Sequence, residues 1–148
     1  MKKFFIAGLV ALTFVTSVFA AGNQTAGSKA AAHLEANYAS AKDVSWSYSE
    51  TFQKASFTLG GEKMDVYYDE YGVLIGSTKS MAFDKLPKSA LETLTRDYTF
   101  PEFQLKDCIA FTDANNSTSY YVSFDSEDGR TVLSISADGR VAPMQQQD

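Results

Sequence analysis

The sequence runs twice through one order, a short amphipathic helix and then four alternating strands, and this repetition restricts the fold more than any other feature. In the first pass Ala30, Leu34 and Tyr38 recur at i, i+4 and i+8, with Ala31 beside them and Lys29, Ala32 and Glu35 outside the stripe. That spacing predicts a helix capped by Ser28 and running to about Tyr38, with one narrow apolar face. Val44-Ser45-Trp46-Ser47-Tyr48-Ser49 then alternates large apolar residues with serines, as a half-buried strand does. Ala55, Phe57 and Leu59 continue the alternation, and Gly60-Gly61 supplies a two-residue hairpin turn. Met64, Val66 and Tyr68 alternate with Lys63, Asp65 and Tyr67, and Asp69-Glu70-Tyr71-Gly72 turns the chain into a fourth strand at 73–79.

The second pass opens at Leu86-Pro87-Lys88-Ser89, with Pro87 where a proline suits the first turn of a helix. Its stripe is Ala90, Leu91, Leu94 and Tyr98, and strands are expected at 105–112, 118–125, 131–136 and 140–143. Ala30, Leu34 and Tyr38 match Ala90, Leu94 and Tyr98 at an offset of 60. Lys42-Asp43-Val44 matches Lys106-Asp107-Cys108 at 64, and Phe57, Val66, Tyr68 and Gly72 match Phe124, Leu133, Ile135 and Gly139 at 67. The drift falls at 99–104 and around 113–117, both loops, which is where insertions into a duplicated unit are tolerated. The expected fold is α+β: two tandem helix-plus-four-strand antiparallel repeats, about 28–83 and 84–148, with both helices on one face of a curved sheet. Halves of about 60 residues are not expected to fold independently, so 28–148 is read as a single domain.

The ends and the charge narrow the compartment and the partners. Met1-Lys2-Lys3 is a positive start, 4–19 is apolar apart from Gly8, Thr13, Thr16 and Ser17, and Val18-Phe19-Ala20 ends in a small residue. This is the pattern of a secretory signal with cleavage after Ala20, and the apolar run is shorter than the roughly 20 residues that span a bilayer. Residues 21–27 are small and polar without periodicity and are read as a flexible leader. Of 13 Lys and Arg, Lys2 and Lys3 leave with the signal, so 11 face 18 Asp and Glu, a net charge of −7. That sign disfavours nucleic acid and anionic membranes as partners. Periplasm or external medium is the expected location, with no membrane span after cleavage. The chain has one cysteine, Cys108, so it forms no internal disulfide and must rely on its core.

Little in the sequence supports covalent or metal chemistry. His33 and Cys108 are the only soft ligands, and they lie far apart in the chain. His33 reads as a solvated surface residue and Cys108 as a buried, inert thiol. There is no Gly-x-Ser-x-Gly elbow and no phosphate-binding glycine loop. Asp113-Ala114-Asn115-Asn116-Ser117 starts like a calcium loop, but Thr118 stands where the glycine belongs and Phe124 where the closing glutamate belongs. No catalytic residue, metal site or cofactor is expected. The aromatic residues carry more information. Tyr67 and Tyr121 are out of phase with the apolar positions of their strands, among Lys63, Asp65, Ser119 and Ser123. Large rings on an otherwise polar sheet face are candidate anchors for a partner, so Tyr67, Tyr121, Lys63 and Asp65 form the expected partner-binding set.

Val44-Ser45-Trp46-Ser47 after the first helix, the aromatic segment Val66-Tyr67-Tyr68-Asp69-Glu70-Tyr71-Gly72, and Leu86-Pro87 opening the second helix together resemble the PepSY-like, beta-lactamase-inhibitor-like proteins of the bacterial envelope. The resemblance spans nearly all of the chain after the signal. It departs in the second half, where Cys108-Ile109-Ala110 and Ser136-Ala137-Asp138-Gly139 replace the first-half motifs. It implies an exported binding or inhibitory module without catalytic residues. The expected function is docking of an envelope or extracellular protein or peptide on the open sheet face. The alternative is a periplasmic carrier holding a small apolar ligand between sheet and helices.

Overall fold

The computed structural model describes residues 27–144. The expected signal segment 1–20 and the leader up to residue 26 lie outside the described residues, as do 145–148. The chain is α+β. Helix α1 (Ser28–Asn37) is followed by β1 (Lys42–Tyr48), β2 (Phe52–Leu59), β3 (Glu62–Asp69) and β4 (Leu74–Ser80). A 3-10 turn at Phe83–Lys85 leads into α2 (Lys88–Asp97), then β5 (Gln104–Asp113), β6 (Thr118–Ser126), β7 (Gly129–Ile135) and β8 (Val141–Pro143). The eight strands are hydrogen-bonded in sequence order in an antiparallel sheet. Two compact units divide the described chain. The first holds 27–80 with Phe111–Ser117, and the second holds Met81–Ala110 with 118–144, so β5 contributes to both.

Ten-residue helices are marginal in water, so each must be held by what it packs on. In the first unit Ala30 and Leu34 are buried against Ala55, Phe57, Val66 and Tyr68, and Tyr38 closes the helix with its ring 5.1 Å from Phe57. In the second unit Ala90 and Leu94 are buried against Val122, Phe124, Leu133 and Ile135, and Tyr98 stacks 5.4 Å from Phe124. The start of each helix is pressed against the turn between the last two strands of its pass. Gly72 has φ +76, and a Cβ on it would lie 3.0 Å from the Ala30 nitrogen. Gly139 has φ +84, and a Cβ there would collide with Ser89 Oγ and lie 3.3 Å from the Ala90 nitrogen. Both positions therefore need glycine twice over, for the left-handed backbone and for the close approach. The two turns close alike: Asp69 N–H donates to Val73 O and Gly72 N–H to Asp69 O, while Ser136 N–H donates to Arg140 O and Gly139 N–H to Ser136 O.

Two local expectations are corrected. Gly27, not Ser28, is the N-cap of α1, and its carbonyl accepts from Ala31 N–H at 3.1 Å. Val44 does not point inward. Asp43 adopts φ 55, the β1–β2 register shifts between Lys42 and Ser45, and Val44 is left 42% exposed. A bulge of this kind resets which face a residue meets, so the alternation is restored only from Trp46, which joins the α1 core.

On β4, Gly76 lies opposite Tyr67, and a Cβ on it would stand 2.6 Å from both Phe111 Cζ and Thr112 O. One of those neighbours is backbone, so repacking relieves the overlap only in part. Gly76→Ala is expected to destabilise the chain by about 1–3 kcal/mol in urea unfolding, the usual range for overpacking a filled site. A change under about 0.5 kcal/mol, typical of open surface positions, would show that the site is not filled.

Candidate binding site

Lys63, Asp65 and Tyr67 share one face of β3 in the first unit, the side opposite Met64, Val66 and Tyr68. Lys63 is exposed and pairs with Thr58. Asp65 is half-buried between Ser56 and Thr78, and Tyr67 lies between Lys54 and Gly76. The expectation that Tyr67 stands exposed is not met: it is 0% exposed. The Phe52 ring lies 6.0 Å from it, and the Phe111 ring fills the space left by Gly76 across the strand. Lys63 and Asp65 are neighbours along the strand, but Phe52, diagonal to Tyr67 on β2, and the Phe111 ring beyond Gly76 lie beside it and decide the burial. Tyr121, on β6 in the second unit, pairs with Ser134 and is 6% exposed, so it too is enclosed rather than displayed. Burial pushes its phenol pKa up, against an opposing hydrogen bond from Ser119.

The groups singled out for chemistry are engaged in structure. His33 is not a solvated surface residue. It is half-buried, its Nδ1 is hydrogen-bonded to Tyr68 Oη at 3.0 Å, and the two rings meet edge-on at 5.5 Å. Burial, and then the nearby Tyr38, push the Tyr68 phenol up to about 12, so that hydroxyl keeps its proton across the physiological range. Asp113 spends its carboxylate on its own turn: Oδ1 accepts from Asn115 N–H at 2.8 Å and Ser117 N–H at 2.9 Å, with Asn116 at φ 61. This is an Asx turn, and it accounts for the residues that resemble the start of a calcium loop. Among the described residues no three His, Cys, Asp or Glu cluster to hold a metal ion. Sequence reasoning missed an apolar groove at the end of α2, walled by Phe83, Tyr98, Phe103 and Phe124. The one signal for it was the pair Phe100 and Phe103 in the loop where the two halves drift apart.

Cys108 is 8% exposed, and burial pushes its thiol up from 9.0 to about 11. At pH 8 that lowers the thiolate fraction roughly 100-fold, before any steric protection, so a disulfide reagent should modify the native chain at least ~100-fold more slowly than the denaturant-unfolded chain. The folded acid is weaker than the unfolded one, so the associated stability is complete below about pH 9 and declines as pH rises toward 11. A Cys108→Ala variant should lose less thermal stability over that interval than the parent. Equal thiol reactivity in the folded and unfolded chains would contradict the burial.

No sequence family and no curated protein matches this chain. Solved structures do match its fold. A BLIP-like protein from Bacteroides fragilis superposes with a TM-score of 0.68 at 16% identity, covering 86% of this chain and 92% of that one. A protein from Bacteroides eggerthii, described as a proposed periplasmic protein, gives 0.72 at 13% identity over 84% and 89%. A DUF2874 family protein from Bacteroides uniformis gives 0.69 at 15% identity over 80% and 90%. At these identities the likeness is one of fold. It supports the beta-lactamase-inhibitor-like part of the sequence resemblance and carries nothing for the PepSY part. No described helix is long and apolar enough to cross a membrane. The chain has a BLIP-like α+β fold.

Proposed function

We propose that the chain is an exported, non-catalytic binding or inhibitory module of the periplasm or the external medium. It docks a protein or peptide on the strand face of the first unit that α1 leaves uncovered. The observation that carries this reading is the layering of that face. Phe52, Tyr67 and Phe111 form an aromatic floor, and Lys63, Lys54 and Asp65 stand along the same strands with part or all of their side chains in solvent. With Tyr67 and Phe111 enclosed, the floor gives the face rigidity, and the exposed parts of Lys63, Lys54 and Asp65 give a partner contact and orientation. Tyr67 supports this surface from below, and Lys63 and Asp65 make the direct contacts; Tyr121, enclosed in the second unit, is no part of this face. Non-catalytic action accords with a thiol held at about 11 and with a histidine tied to the Tyr68 phenol. Export accords with the signal-like residues 1–20 and with the periplasmic description of one neighbour.

We also propose that the two passes descend from one duplicated helix-plus-four-strand unit. In its favour, residues matched by offset in sequence do the same work: Tyr38 on Phe57 and Tyr98 on Phe124, Gly72 beside Ala30 and Gly139 beside Ala90.

Site-specific photocrosslinking in cells tests the docking face. A photoreactive phenylalanine at position 63 or 65 should yield an adduct of defined mass, and one at Glu35, exposed on α1, should not. A Lys63→Glu/Asp65→Lys variant should lower the adduct yield at a neighbouring strand position at least about tenfold. Adducts from Glu35 alone, or none from 63 and 65, would contradict the reading.

A further inference from the structure

The connection after α1 is residues 38–41, whereas the connection after α2 is 98–103. The longer loop carries two phenylalanines that have no counterpart in the first pass, Phe100 and Phe103. Phe103 turns back onto the helix end, with its ring 5.0 Å from Tyr98 and 6.4 Å from Phe124, while Phe83 also meets Phe124 edge-on at 6.4 Å. These rings and Leu94 wall a groove of about 520 Å³, built wholly from second-unit residues. At its rim Phe100 is 78% exposed and Leu105 is 45% exposed. Large apolar side chains left in water beside a concave aromatic wall mark a surface that gains by being covered. The volume lies within the roughly 300–1,000 Å³ typical of small-molecule sites.

The lining also selects the ligand. No charged residue lines the groove. A ligand carboxylate, phosphate or ammonium would lose its hydration there without gaining a partner, which is costly. Polar lining groups are few. Thr95 Oγ1 is already donating to Leu91 O at 2.7 Å, which leaves the side chains of Thr99 and Gln104 and the Tyr98 hydroxyl among the lining polar groups. We propose that this groove binds a small, uncharged, ring-containing apolar molecule, packed against Tyr98 and Phe103, covered by Phe100 and Leu105, and oriented through one hydroxyl or carbonyl toward Thr99 or Gln104. The site is independent of the proposed docking face, since none of its residues belongs to the first unit.

Fluorescence titration of the chain without residues 1–20 tests it, with the neutral probe N-phenyl-1-naphthylamine set against its anionic relative 1-anilinonaphthalene-8-sulfonate. The neutral probe should saturate at one site per chain and bind at least tenfold more tightly than the anionic one. Leu105→Asp, a change at an exposed position, should weaken it at least tenfold at unchanged circular dichroism and melting temperature. Thr99→Trp, also at an exposed position, should weaken it by filling the groove. The proposal is overturned by the absence of saturable binding, by equal affinity for the two probes, or by variants that bind as the parent does. If the neutral probe fails while an aromatic peptide binds in a manner sensitive to Leu105→Asp, the occupant is a protein side chain and the small-molecule assignment is wrong.

Discussion

Each half of this chain depends on a tyrosine at the end of its helix lying on a phenylalanine of its sheet: Tyr38 on Phe57 in the first unit and Tyr98 on Phe124 in the second. The remainder of each stripe is one buried alanine and one buried leucine, with the partly buried Leu91 beside them in the second unit. Alanine allows close approach but buries little, and one leucine contributes about 1.5–3 kcal/mol. The ring pair adds the largest single apolar area, and about 0.5–1.5 kcal/mol beyond it from ring geometry. It also sets the register of the helix. With the tyrosine seated, Ala30 and Ala90 fall against the turn glycines Gly72 and Gly139, and the first turn of each helix has nowhere else to go.

Much of this was legible in sequence because both periodicities are strong. The stripe Ala30, Leu34, Tyr38 and the alternation through Val66 and Tyr68 place the elements within a few residues of where they lie. What failed did so for local reasons. The bulge at Asp43 turned Val44 outward, and nothing in the composition of that strand announces a left-handed aspartate. The phase of Tyr67 was right and its exposure was wrong, because alternation shows which face a ring is on, not what lies beside it. Its neighbours, Phe52 on β2 and Phe111 beyond Gly76, are set by pairing across strands that are distant in sequence. His33 likewise read as a surface residue because its partner Tyr68 is 35 positions away. The groove at α2 was legible only as a loop, since Phe100 and Phe103 follow no period.

The groove proposed as a ligand site arises where the two passes are not equivalent. The shared positions, the stripe, the phenylalanine and the turn glycine, are occupied by packing. The residues that differ, such as Phe100 in the longer loop after α2, are free of that duty and leave apolar surface exposed. The proposed docking face follows a similar logic: in β3 the even-numbered positions serve the core under α1, and Lys63, Asp65 and Tyr67 form a separate layer on the other side. Binding by such surfaces needs preorganised shape and area, with no titrating group at work, which suits a chain whose thiol is held at about 11 and whose histidine is tied to a phenol.

Double-mutant cycles measure directly how far one ring pair seats each helix. Tyr38→Leu with Phe57→Leu, and Tyr98→Leu with Phe124→Leu, keep apolar bulk while removing the ring contact. The account predicts a coupling of about 0.5–1.5 kcal/mol in both cycles. Additive losses in either cycle, with a coupling under about 0.3 kcal/mol, would mean that the helix of that half is held by its aliphatic stripe and not by the ring pair.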